Sequence, residues 1–276
     1  MRVRYILCLI CLLCFAAAPA YSLESEYAAA PAFVRVITNL CGYNFAAKRV
    51  AQRIIKNELN SSITGDFKVK IGSFSGVDLK RGKFKSLEIC GEDLSVEDEL
   101  YITKLMLKTP EGFYYVDYRK KPQVYKTDVM MYYYIQISED DLNRTFARNV
   151  PLYELTRSLP FVQVDNFKFK LEEDKVIICT AVRFPFGKAA KFSITARPEI
   201  KNGKIVLTEL ETSGGGRELP EKLTAFINNM HLMKNIKINL CQGAKTVVSV
   251  KNVKVADKKI HSDGTLIIKK TVKKNG

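Results

Sequence analysis

The stretch that decides the fold runs from Asn44 to Ile71 and reads NFAAKRVAQRIIKNELNSSITGDFKVKI. In its first half, apolar residues recur every three or four positions, which predicts an amphipathic helix over residues 44–59 with Asn44 as its N-cap. The other side of this helix is basic, so it could pack on a sheet or lie on a membrane, and packing is the commoner arrangement. In the second half, Phe67, Val69 and Ile71 alternate with polar residues, as on a half-buried strand.

The rest of the chain adds mostly strands. Glycines between Gly72 and Gly82 indicate turns, Asn202-Gly203 predicts a tight hairpin turn, and Ser138 is a candidate N-cap. Helices are expected over residues 139–149 and 152–158 and from Pro220 onward. Strands are expected over residues 67–71, 84–89, 100–108, 129–138, 161–171, 175–184, 190–198, 203–212, 235–241, 245–256 and 264–270, the last two joined by a turn over 257–264. Because the strands follow one another in hairpin-linked runs, this pattern predicts an α+β fold with an antiparallel sheet.

The first residues have the character of an export signal. Arg2 and Arg4 give a basic start, the run from Ile6 to Phe15 is apolar throughout, and small residues follow up to Ser22. The apolar run is about half the roughly 20 residues that a membrane-spanning helix needs. We therefore predict a signal peptide over residues 1–22, one domain over residues 23–276, and a protein of the periplasm or cell envelope that is at most peripheral to the membrane.

The chain is strongly basic, with 44 Lys and Arg against 29 Asp and Glu. Without Arg2 and Arg4, 42 basic residues remain against 29 acidic ones, a net charge of +13. Such an excess favours anionic partners such as phospholipid headgroups, acidic polymers or nucleic acid, although it also serves solubility alone.

Four cysteines follow the signal segment: Cys41, Cys90, Cys179 and Cys241. Their wide spacing does not match a zinc knuckle. In an exported protein they could form two disulfides, whereas buried free thiols are the alternative.

The sequence shows no recognisable catalytic constellation. His231 and His261 have no metal-ligating residue at a suitable spacing, so we predict neither a metal site nor a cofactor. The Gly214-Gly215-Gly216 run lacks the lysine and spacing of a phosphate-binding P-loop. We therefore expect a protein that is not an enzyme.

Tyrosines beside cations form a second candidate feature. They suit a lipid headgroup interface, because tyrosine is apolar in its body and polar at its tip. Stacking on single-stranded nucleic acid, or an ordinary place in a strand, are the alternatives. The headgroup or membrane-contact candidates are Tyr114, Tyr115, Tyr118, Arg119, Lys120 and Lys121.

The stretch from Ala46 to Thr109, with the later Ser138–Asn143 and Asn202–Pro220 segments, resembles the LmeA-like phospholipid-binding family. These are exported bacterial proteins of the tubular lipid-binding (TULIP) superfamily, and the likeness covers most of the chain after residue 22. The resemblance implies a strongly curved antiparallel sheet wrapped around a long amphipathic helix, with an apolar groove for acyl chains between them.

A groove at this place would be lined by apolar residues of the helix and of the following strands. The lining candidates are Val50, Ile54, Ile55, Phe67, Val69, Ile71, Phe84, Leu87 and Ile89. The leading hypothesis is therefore binding of phospholipid or a similar amphiphile, for envelope lipid transport or maintenance, at an anionic membrane surface and without nucleic acid. The alternative is a structural protein of the envelope that binds an acidic polymer or a protein through its basic surface.

Overall fold

In the computed structural model, the described residues are 27–96, 100–120, 123–148, 163–164, 167–183, 189–214 and 245–271. Their helices are α1 (Ala32–Leu40), α2 (Tyr43–Asn60), α3 (Gly76–Lys80) and α4 (Glu139–Arg148). Their strands are β1 (Ile63–Gly72), β2 (Lys83–Phe84), β3 (Ser86–Val96), β4 (Leu100–Lys108), β5 (Tyr114–Asp117), β6 (Val124–Tyr125), β7 (Val129–Ser138), β8 (Gln163–Val164), β9 (Lys168–Glu172), β10 (Lys175–Arg183), β11 (Ala190–Lys201), β12 (Lys204–Gly214), β13 (Thr246–Ala256) and β14 (Lys259–Ile268).

These strands form three antiparallel sheets. The largest has the order β1-β3-β4-β7-β14-β13, the second joins β12-β11-β10-β8 with β9 also on β10, and the smallest is β2-β5-β6. The fold is thus α+β and mostly antiparallel sheet, as predicted. The predicted strands over 100–108 and 129–138 correspond to β4 and β7.

Alternation along the strands builds the core. In β7 the residues from Val129 to Ile137 are buried at every second position, and β14 shows the same period from Ile260 to Ile268. This is the burial expected of strands with one face on the core. Helix α2 packs beside β1, and α4 packs beside β4, β7 and β9.

The start of α2 corrects one prediction. The N-cap is Gly42, whose φ of 68° is left-handed, so Asn44 lies inside the helix and does not cap it. The Asn44 side-chain oxygen instead accepts a hydrogen bond from the backbone N–H of Gly76. Ser138 does cap α4 as predicted, since its hydroxyl oxygen accepts the N–H of Asp141 at 3.1 Å.

The region between β1 and β3 holds more structure than the predicted turns. Ser75 caps the short helix α3 by accepting the N–H of Asp78 at 3.1 Å. The predicted strand over 84–89 is divided, because Lys83–Phe84 pairs in the smallest sheet and Ser86 begins the next strand of the largest. The predicted strand over 161–171 is likewise divided, into β8 and β9.

The last hairpin turns earlier than predicted. Its turn is Asp257-Lys258, both with left-handed φ, and Gly264 lies within β14. The polar residues His261 and Asp263 lie on the strand, where both have partners. His261 Nδ1 lies 2.8 Å from the Tyr134 hydroxyl, and Asp263 accepts from the Asn252 amide at 3.0 Å. The Asn202-Gly203 turn is confirmed.

Strand β13 lies at the edge of the largest sheet, and two turns of the second sheet reach it. The N–H of Val250 donates to the carbonyl of Gly203 at 3.0 Å, and the N–H of Asp174 donates to the carbonyl of Val255 at 3.0 Å. The turns between β11 and β12 and between β9 and β10 therefore hydrogen-bond to this edge.

Cys41, Cys90 and Cys179 are free thiols. Two disulfides among four cysteines would require a bond between two of these three, so the two-disulfide alternative does not hold. Cys241 lies outside the described residues, as do the predicted signal peptide, the helices at 152–158 and after Pro220, and the strand at 235–241.

Candidate functional site

A cavity of about 410 Å³ lies between α2 and the largest sheet, partly open to solvent and lined mostly by apolar side chains. We call it the α2 cavity. The sheet contributes residues on both sides of β4: Ile71 from β1, Leu87 and Ile89 from β3, Val129 and Met131 from β7, and Ile268 from β14. Its volume falls within the range of about 300–1,000 Å³ that is usual for small-molecule sites.

Small side chains on α2 create much of this space. Ala47 and Ala51 face the cavity from the helix and leave room that larger residues would fill. Val50 and Ile54 also line it, although they are 59% and 43% exposed. The cavity therefore has an apolar, solvent-exposed side along α2.

Seven of the nine predicted groove residues line the α2 cavity. They are Val50, Ile54, Ile55, Ile71, Phe84, Leu87 and Ile89. Phe67 does not line it, because it is buried opposite Gly91, where a Cβ on that glycine would lie 2.9 Å from the Phe67 ring. Val69 packs against the core and is also outside the lining.

Other lining residues were missed from the sequence. The alanines recur at helical spacing and could have been included, whereas Val129, Met131 and Ile268 lie far along the chain from α2. The pairing of β4 with β7 and of β7 with β14 brings those three residues to the cavity.

Part of the rim of the α2 cavity is polar. The Tyr118 hydroxyl and the Arg119 Nη2 atom both donate to the carbonyl of Lys80, at 2.7 and 3.1 Å. Lys80, Tyr118 and Gln123 are among the residues around the cavity, and Arg119 and Lys120 are exposed. Cationic and hydroxyl groups therefore lie near one side of the apolar space.

The tyrosine set predicted for headgroup contact does not share one surface. Tyr114 is buried, its ring stacks on Phe84 at 5.3 Å between centroids, and its hydroxyl donates to the carbonyl of Pro110 at 3.1 Å. Burial raises the pKa of Tyr114 above its ordinary value. The prediction that Tyr114 contacts a membrane is therefore wrong, since alternation along β5 turns its side chain into the core.

Tyr115 points the other way and is half-buried among cations. Lys83 Nζ and Lys126 Nζ lie 5.3 and 5.9 Å from its ring centroid. The Lys83 ammonium also donates to the carbonyl of Ala28 at 2.7 Å. Tyr115 therefore serves local packing, while Lys121 lies outside the described residues.

No group of histidine, cysteine and acidic side chains within the described ranges is arranged to hold a metal ion. Over the same ranges, none of the helices combines the length and the apolar character needed to cross a bilayer.

The protein families, curated proteins and solved structures that were compared gave no significant match to this chain.

Proposed function

We propose that this chain is an exported lipid-binding protein that holds an acyl chain of a phospholipid or similar amphiphile in the α2 cavity. The observation that carries the proposal is the apolar cavity itself, together with the exposed Val50 and Ile54 along its open side. Each methylene moved from water into such a space contributes about 0.8 kcal/mol. An acyl chain can therefore be held without specific polar contacts.

The finer architecture belongs to the same proposal. A sheet that curves around α2 would bring β1, β3, β7 and β14 to one elongated space, as the resemblance to the LmeA-like family implies. Lining residues from all four of these strands support this arrangement. The headgroup would then lie at the polar rim near Lys80, Tyr118 and Arg119.

The basic surface supports work at an anionic membrane. A net charge of +13 after residue 22 attracts anionic headgroups over about 8 Å at physiological salt. A role in envelope lipid transport or maintenance follows if residues 1–22 direct export.

Native mass spectrometry of the protein purified from envelope extracts tests the proposal directly. We expect a co-purified mass that disappears on delipidation and matches a phospholipid or related amphiphile. Repeated recovery of the bare protein, together with no uptake of fluorescent lipid, would instead favour the alternative of an envelope protein that binds acidic partners.

The Ile54→Trp substitution tests the place of binding. Ile54 is partly exposed at the cavity, so the larger ring should occlude the acyl-chain space with a change in unfolding free energy below about 1 kcal/mol. The control is Arg53→Trp, because Arg53 is exposed and outside the cavity lining. Uptake of fluorescent lipid should fall only in Ile54→Trp; unchanged uptake would place the lipid elsewhere.

A further inference from the structure

A second pocket, of about 540 Å³, lies between α1, α2 and the segment before α3, and it is more open to solvent than the α2 cavity. We call it the α1–α2 pocket. Its polar lining consists of Arg35 and Asn39 from α1, Asn44 and Lys48 from α2, and Ser73. In contrast to the α2 cavity, this pocket is cationic.

The Arg35 guanidinium lacks a hydrogen-bond partner at one of its nitrogen atoms. Its Nε atom is buried and has no hydrogen-bond partner. Within the described ranges, neither Arg35 nor Lys48 forms an ion pair. A buried donor on a charged group without an acceptor is costly, so an anion that pairs with the guanidinium would offset part of that cost.

Uncharged hydrogen-bond donors around the pocket also favour an anionic ligand. The Asn44 side chain is already engaged, because its oxygen accepts from Gly76 and its amide nitrogen lies 3.4 Å from the Asn39 oxygen. This contact occupies the Asn39 oxygen and leaves the Asn39 amide nitrogen as a donor. Ser73, which carries a hydroxyl group, lines the same space.

We propose that the α1–α2 pocket binds a phosphate group. Two cations on different helices, an amide and a hydroxyl can together donate to several oxygens of one tetrahedral anion, and a guanidinium pairs well with phosphate. The volume exceeds that of a phosphate alone, so the ligand is an organic phosphate or a lipid headgroup.

The surroundings favour the lipid headgroup as the source. Phe33, Val36 and Leu40 lie on α1 at helical spacing and are 69%, 58% and 82% exposed. An apolar stripe beside a cationic pocket matches the interface of a phospholipid surface. The choice of a headgroup rests on the proposed function, whereas the phosphate chemistry rests on the pocket alone.

The test compares three variants of the purified protein with wild type. Arg35→Gln and Lys48→Gln each remove a cation from the pocket, and Arg53→Gln removes one from the exposed side of α2 as the matched control. Inorganic phosphate is titrated by NMR, following the amide signals of Asn39, Asn44 and Ser73. Binding is also measured to vesicles of phosphatidylcholine alone and of phosphatidylcholine mixed equally with phosphatidic acid.

We expect Arg35→Gln and Lys48→Gln to weaken binding about tenfold each, and Arg53→Gln to weaken it less than about twofold. Dependence on Arg35 for phosphatidic acid vesicles alone identifies a lipid headgroup, and dependence for inorganic phosphate alone identifies a soluble organic phosphate. Melting temperatures near that of wild type confirm that the variants fold. Absence of phosphate-induced shifts, together with equal vesicle binding by Arg35→Gln and Arg53→Gln, would overturn the proposal.

The Ile54→Trp protein separates the two sites. It alters the α2 cavity and leaves the α1–α2 pocket lining intact. Wild-type phosphate binding by this variant, in the absence of any lipid uptake by the native protein, would remove the lipid function and leave the phosphate site standing.

Discussion

Helices α2 and α4 both pack against the largest sheet, but one covers a cavity and the other a closed core. Helix α4 presents Leu142 and Phe146, and the Phe146 ring lies 4.5 Å from the ring of the fully buried Phe169. Helix α2 presents Ala47 and Ala51 to the space beneath it. Both helices are amphipathic, α4 more strongly than α2, and the small side chains that α2 turns toward the sheet leave the space that becomes the cavity.

Side-chain hydrogen bonds also distinguish α4 from α2. The Asn143 side chain accepts from the N–H of Phe169 at 2.7 Å and donates to its carbonyl at 2.9 Å, and Thr145 accepts from the N–H of Tyr101 at 3.0 Å. These bonds fix α4 to β9 and to the start of β4. The cavity-facing residues of α2 are mostly apolar, so we expect α2 to shift more readily than α4 when a ligand enters.

The largest expected effect on stability is in the closed core beneath α4. Phe169→Ala should lower the free energy of unfolding by about 3–5 kcal/mol, because it removes a fully buried ring and leaves a cavity beside Phe146. Denaturant unfolding measures the change. The control on the open side is Phe45→Ala, which truncates a 63% exposed ring on α2 and should change stability by less than about 0.5 kcal/mol. Equal losses in the two variants would remove the contrast between the regions.

The second prediction concerns filling the α2 cavity, so that the packing beneath α2 becomes more like the closed core beneath α4. Ala51→Leu adds three carbons facing the α2 cavity and should raise the free energy of unfolding by about 1–2 kcal/mol while lowering lipid uptake. In a filled space the same change would cost about 1–3 kcal/mol, so the sign of the shift is decisive. Gln52→Leu, on the same helix and outside the cavity lining, is the control for uptake.

The smallest effect concerns the far wall of the α2 cavity. Asp128 accepts from Lys269 Nζ at 2.9 Å and from the N–H of Lys270 at 2.8 Å, and these bonds lower the pKa of its carboxyl group. A lowered pKa in the folded state means that this stabilisation is present above the unfolded pKa and is lost as pH falls through the folded value.

Asp128→Asn should therefore remove a pH-dependent contribution of less than about 1 kcal/mol, since the pair is half exposed. Urea unfolding at neutral and acidic pH measures it. Wild type and variant should differ more at neutral pH than at acidic pH. A difference that grows in acid would contradict this account.

Much of the fold follows from local patterns. The strands predicted over 100–108 and 129–138 match β4 and β7 to the residue, and the cap at Ser138 located α4. The short helix α3 was missed because its signal, Ser75 three residues before Asp78, lies among glycines that indicate turns. Gly264 lies within β14 because this strand pairs with β13 on one side and with β7 on the other, and the pairing with β7 is a long-range contact that no local pattern contains.

The residues of the candidate site were also predictable only where they are close together in the sequence. Residues on α2 and the next three strands were predictable because they are close in sequence, and most of them do line the cavity. The contribution of Ile268 depends on long-range pairing, and the burial of Tyr114 depends on which way a four-residue strand faces. The likeness to the LmeA-like family remains a prediction.

The two turns that hydrogen-bond to β13 also bear on how the protein behaves when crowded. A free strand edge offers unpaired backbone groups on which a strand of another molecule can add, and Val247 and Val248 on β13 are exposed. The Gly203 carbonyl and the Asp174 N–H already bond to two backbone groups of β13. A strand of a second molecule therefore cannot form a continuous set of backbone hydrogen bonds along this edge. The joining of the two sheets therefore also limits edge-to-edge aggregation.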